Sequence, residues 1–197
     1  MQAIELNCAG CGGAVSTDYK ECPRCRRPVV ISSFNSAFSM PVPEINKYAK
    51  TYREALANNP DSQVLNTALA MCYLKLKLYD KSISAFDKAI EDNFDNSETF
   101  FYAAVSLLKG QKAFVATQSD IDRIIENINA AIDIEPRGIY HYFLAYIKYD
   151  YFERHSWDSN PNWKETLQIA IQNGVSQTDI AQLAETLQVE IPDCLRI

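Results

Sequence analysis

The sequence predicts an all-α array of paired helices that carries a small, cysteine-bearing β module ahead of it. Three observations lead there. From Ser62 to Asn96 the chain reads as one helix–turn–helix unit of about 34 residues. Its first helix carries Leu69, Ala70 and Tyr73, its second Ser82, Phe86 and Ala89, and Leu78-Tyr79-Asp80 forms the turn. Ala70, Ser82 and Ala89 let two helices approach closely, while Tyr73 and Phe86 fill the space beside them. Related apolar patterns recur on both sides, and such a unit needs neighbours because it cannot bury its apolar face alone. The third observation is a set of four cysteines in two close pairs near the start.

The totals agree with a globular chain. At 197 residues there is room for one helical domain and a small appendage, and 47% hydrophobic with 22% charged residues is ordinary for such a protein. The net charge of −6 argues against a dedicated DNA or RNA binder, which must neutralise phosphates. The charge is uneven. Lys20, Arg24, Arg26 and Arg27 outnumber Glu5, Asp18 and Glu21 before residue 44, and the remainder is strongly acidic. No stretch approaches the roughly 18 apolar residues needed to cross a bilayer. The segment MQAIELNCAGC has neither the basic nor the apolar region of a signal peptide, and no apolar run precedes Leu6-Asn7-Cys8 as a lipoprotein site would require. A cytoplasmic location is expected, because closely paired cysteines suit metal binding in a reducing compartment better than a disulfide framework.

Cys8-Ala-Gly-Cys11 and Cys22-Pro-Arg-Cys25 are C-x2-C pairs separated by ten residues. Each such turn aims two thiolates at one ion while backbone amides face the sulfurs, so four soft ligands converge on a tetrahedral metal. Gly12 and Gly13 suit the backbone such a turn adopts. Unpaired or disulfide-linked cysteines are the bland alternative. Zinc is expected over iron, which would imply rubredoxin-like electron transfer, because nothing else in the chain suggests redox chemistry. Four thiolates leave no open coordination position, so the expected role is structural, with about one Zn2+ per chain. Val15 and Val29-Val30-Ile31 are the expected strands. Arg24, Arg26 and Arg27 are a possible contact set of this head; the competing reading is that they offset the charge of a thiolate-bound ion.

Over about 30 residues the head resembles a short zinc ribbon, and residues 62–96 resemble a tetratricopeptide (TPR) repeat on the positions quoted above. That resemblance covers about 145 residues and implies an all-α, TPR-like right-handed helical array. The expected organisation is a zinc ribbon at 1–31, a linker at 32–43, a repeat domain at 44–189 and a tail at 190–197. Within the repeat domain, a half-repeat at 44–60 with Tyr48, Tyr52 and Ala55 is followed by repeats at 63–96, 97–137 and 138–175, and by a capping helix at 177–188. The second repeat carries Phe100, Ala103, Ala104 and Leu107, then Ile124, Ile128 and Ala131, with an N-cap expected at Ser119. In the third, Leu144-Ala145 aligns with Leu69-Ala70, and Trp163, Leu167 and Ala170 mark the second helix. Inserts within Lys109–Gln118 and Glu153–Asn162 lengthen both units. The linker SSFNSAFSMPVP is too apolar to be free, through Phe34, Phe38, Met40 and Val42, and is expected to dock in part.

Catalysis has little support: His141 and His155 belong to no nucleophile or metal motif, and Cys72 and Cys194 lack a basic neighbour. The resemblance instead implies a concave face lined by first helices, where Met71, Phe101, Val105, Tyr142, Tyr146 and Tyr149 are the expected partner contacts. Rings with a polar tip suit a peptide groove. Filling of that face by the chain's own linker, inserts or a second copy is the alternative, and Trp157 in the second insert is a candidate rim residue. The expected function is therefore a non-enzymatic scaffold or adaptor for a protein or peptide. The alternatives are a nucleic-acid-associated regulatory protein and, more remotely, an electron carrier.

Overall fold

A computed structural model describes residues 3–91 and 95–197. Met1, Gln2 and residues 92–94, with which the first predicted repeat closes, lie outside the described residues. Two compact units divide the chain, one spanning Met1–Asn93 and the other Phe94–Ile197.

In the first unit, strands β1 (Glu5–Asn7) and β2 (Ala14–Ser16) form an antiparallel pair in which Leu6 faces Val15. The remaining elements are helices α1 (Phe34–Ser39), α2 (Val42–Leu56), α3 (Gln63–Lys75) and α4 (Tyr79–Ile90). Val29–Ile31, expected as a strand, is not one. A single bridge joins Glu21 to Pro28, after which Val29 and Ile31 are buried; the Val29 N–H donates to the Lys20 carbonyl at 3.0 Å, and side chains satisfy further backbone groups. The Tyr52 hydroxyl accepts the Ile31 N–H at 2.9 Å and donates to the Val29 carbonyl at 3.2 Å, while the Tyr48 hydroxyl donates to the Pro28 carbonyl at 2.9 Å. Two tyrosines one helical turn apart thus replace a neighbouring strand.

Ser33 caps α1 by accepting the Ser36 N–H, and α1 buries Phe34 and Ala37 as it packs on α3. Pro41 precedes α2, whose buried stripe of Ile45, Tyr48, Ala49, Tyr52 and Ala55 follows the helical period. Ser62 caps α3, which forms a hairpin with α4; Lys77 takes a left-handed backbone in the turn between them. The Ser82 hydroxyl donates to the Ala70 carbonyl at 2.9 Å, so a small residue both admits close approach and satisfies its own polar atom.

The second unit consists of α5 (Ser97–Leu107), α6 (Gln118–Ile134), α7 (Gly138–Ile147), α8 (Trp163–Gln172) and α9 (Gln177–Leu187). Hairpins α5–α6 and α7–α8 make the bulk of it. The N-cap of α6 is Thr117 rather than Ser119: its hydroxyl accepts the Asp120 N–H and donates to the Asp120 carboxylate at 2.8 Å. Asn162 and Glu165 form a reciprocal capping box on α8. The first insert contains a short 3-10 turn at Ala113–Val115, and α7 widens into a π turn over Lys148–Phe152. Buried Asp150 ties these together, accepting the Phe114 N–H at 2.9 Å and pairing with Arg154 at 2.6 Å. Gly138 sits against the end of α8, where an added Cβ would lie 2.4 Å from the Val175 nitrogen.

Candidate functional site

The head is two copies of one turn. In the first, the Cys8 N–H donates to the Gly13 carbonyl and the Gly12 N–H to the Cys8 carbonyl, at 2.9 and 2.8 Å. In the second, the Cys22 N–H donates to the Arg27 carbonyl and the Arg26 N–H to the Cys22 carbonyl, at 2.8 and 2.9 Å. Gly12 and Arg26 hold equivalent places with φ of 73° and 62°, the left-handed region that glycine adopts freely and arginine does not. The turns bring the four sulfurs of Cys8, Cys11, Cys22 and Cys25 within 4.8 Å of one another. Cys8 and Cys25 sulfurs are 3.5 Å apart and those of Cys11 and Cys22 3.7 Å. A tetrahedral ion with metal–sulfur bonds of about 2.3 Å sets its ligand sulfurs roughly 3.8 Å apart. The donor set therefore fits one soft, four-coordinate ion.

The thiols perturb one another's ionisation. Backbone amides of Cys25 and Arg24 bring Cys22 down to about 6. The Arg27 amide lowers Cys25 as well, but burial and the thiols of Cys8, Cys22 and Cys11 push it up to about 11. Four sulfurs this close cannot all ionise without a positive charge among them. Of the three expected contact arginines, Arg27 is committed elsewhere, pairing with Glu44 of α2 at 2.7 Å. The Arg24 side chain lies over Gly13, leaving a Cβ there only 2.8 Å from its guanidinium, and Arg26 is exposed.

The expected partner contacts lie elsewhere than on an open groove. Met71, Phe101, Val105, Tyr142 and Tyr146 are all buried, and Tyr149 is half-buried. Phe101 packs between Tyr140 and Phe143, with ring centroids 4.6 and 5.8 Å away. The Tyr142 hydroxyl donates to the carbonyl of Leu195, and Tyr146 donates to Asp150 at 3.4 Å and meets the Ala113 backbone. Tyr149 meets the Cys194 thiol and the edge of Trp163. The tail supplies partners for Tyr142 and Tyr149, the first insert one for Tyr146, and α7 those of Phe101, so the array's inner rings are consumed as core. In the first unit α1 lies on α3, the helix that bears Met71.

The second insert keeps an exposed ring. Arg154 lies over Phe114 at 4.1 Å, Phe114 stacks on His155 at 4.4 Å, and His155 stacks on Trp157 at 5.0 Å. Trp157 is 49% exposed and Val115 62%. His155 is further fixed by a 2.6 Å contact from Nδ1 to the Tyr151 carbonyl. Cys72 is buried, and burial pushes its thiol up to about 12, which makes it an inert packing residue. Sequence reasoning missed Lys148 and Asp150, both buried; neither belongs to any spacing motif.

No protein-family profile matches the chain, and no curated protein does. Solved structures of the TPR-like protein MamA are similar to it. MamA AMB-1 is 18% identical over 76% of this chain and 84% of that one, with a TM-score of 0.52. MamA MSR-1 is 20% identical over 72% and 68%, with a TM-score of 0.47. At such identity the likeness bears on the fold: this is an all-α, TPR-like helical array. Among the described residues, no helix is long and apolar enough to cross a membrane.

Proposed function

We propose that this chain is a non-enzymatic interaction scaffold whose helical hairpins hold a protein or peptide and whose head is a structural Zn2+ module. The observation that carries the head is the four-sulfur cluster, built by two matching turns and anchored to α2 through Tyr48, Tyr52 and the Arg27–Glu44 pair. Cys8, Cys11, Cys22 and Cys25 would ligate the ion, which supplies a charge-neutralising cross-link with no open position. The scaffold reading rests on the helical fold. Its contact surface is assigned to the ridge that bears Trp157, an exposed ring held on the half-buried stack of Phe114 and His155, because a rigidly supported aromatic is the form that interface anchors take.

Affinity capture from native lysate with wild type and Trp157→Ala tests the surface. The variant removes an exposed ring and is expected to keep the helical circular-dichroism spectrum of the wild type. Loss of a saturable partner in the variant supports the ridge; retention of every partner in a folded variant refutes it.

A further inference from the structure

Lys148 is a buried lysine with no counter-ion among the described residues. It is 8% exposed, and its ammonium donates to the Pro161 carbonyl at 2.7 Å and to the Thr166 hydroxyl at 3.0 Å, both neutral acceptors. The group has three N–H donors, and it forms no ion pair among the described residues. Glu165 acts on it through space, but that side chain is exposed and accepts the Asn162 N–H at 2.9 Å. A charge removed from water without a partner is costly, so such a group is kept where something pairs with it.

The surroundings are built as a pocket. A cavity of about 470 Å³ lies between α6, α7 and α8, within the roughly 300–1,000 Å³ range of small-molecule sites. Its walls follow the helical period: Ile125 and Ile132 on α6, Leu144 and Lys148 on α7, Ile169 on α8. The π turn that widens α7 begins at Lys148, and such turns recur at functional sites. The first hairpin supplies an internal comparison. Its equivalent groove, between α2, α3 and α4, is lined by Tyr73 and Ala85. With Leu69-Ala70 aligned on Leu144-Ala145, and Phe86 on Leu167, Lys148 stands at the place of Tyr73 and Thr166 at that of Ala85. An ammonium and a hydroxyl have replaced a packing pair.

We propose that this pocket binds a small monocarboxylate with an apolar tail, its carboxylate pairing with the Lys148 ammonium and its chain lying against Ile125, Ile132, Leu144 and Ile169. The pocket shares the second insert with the Trp157 ridge, because Phe152 and Pro161 line it and the Phe152 carbonyl accepts the Trp157 N–H at 2.9 Å. Burial, more than the nearby Lys148, lowers the pKa of His141 at the same cavity.

Calorimetric titration of the full chain with octanoate, octanol and inorganic phosphate tests the assignment. Octanoate is expected to saturate at about one per chain, with octanol at least about tenfold weaker, because a charge-assisted hydrogen bond is lost. Phosphate is expected not to compete. Lys148→Met is expected to lose octanoate binding to the same extent. Octanol binding as tightly as octanoate, competition by phosphate, no octanoate binding, or unchanged binding in Lys148→Met would each overturn the proposal. The Lys148 ammonium resonance in wild-type protein gives a second readout, which stands even if the variant fails to fold. It is expected to shift with octanoate and not with octanol, and absence of that shift also overturns the proposal.

Discussion

Gly12 and Arg26 occupy one conformation in two copies of a turn, and only one of them suits it. An added Cβ at Gly12 would meet nothing within 4 Å, so Gly12→Ala isolates the backbone cost. It is expected to destabilise the head by about 1 kcal/mol, whereas Arg26→Gly is expected to be neutral or stabilising; urea titration of the metal-loaded protein checks both. Tyr52→Phe leaves the Ile31 N–H and Val29 carbonyl unpaired in a buried place and is expected to cost about 2 kcal/mol in the same measurement. The cysteine turns were legible because their chemistry lies within a few residues. The fate of Val29–Ile31 was not, because β-branched residues signal a strand while the groups that satisfy their backbone come from a helix some twenty residues later. Lys148 was equally hidden, a single substitution inside a repeat pattern that otherwise reads as packing.

At the scale of elements, α2 is the platform on which the head rests, and its tyrosines make that docking depend on pH. Burial first, and then the charge of Glu44, pushes Tyr48 up to about 12 from an ordinary value of 10.0. The native state therefore favours the protonated phenol. Its stabilising contribution is complete below pH 10 and is lost as pH rises from 10 through about 12. Tyr52, shifted in the same direction chiefly by burial, reinforces the trend. Stability measured between pH 9 and 12 is expected to fall across that window, and to fall less in Tyr48→Phe. Helix pairing imposes a second constraint at Gly138, where a Cβ would meet backbone atoms of the α8 terminus. Gly138→Ala is expected to cost about 1–3 kcal/mol by overpacking, read as a lower melting temperature. Helix existence was readable from periodicity. The fate of the inner rings was not, since the first insert and the tail that cover Tyr142, Tyr146 and Tyr149 carry no period and reveal their partners only in three dimensions.

If the proposed ion cross-links the head, the cysteine module and the helices of the chain should differ in their dependence on metal. The head buries little apolar surface beyond Leu6, Val15, Val29 and Ile31, too little for so short a segment to fold without a cross-link. Chelation is therefore expected to unfold residues 3–31 while leaving most helical signal intact, seen as protease cleavage confined to the head. The claim on which this rests is the identity and role of the ion. Elemental analysis of the purified chain, together with its visible spectrum, tests it most directly. About one zinc per chain and no visible absorbance is the predicted result. Iron with visible bands, or a folded head that holds no metal, would contradict it.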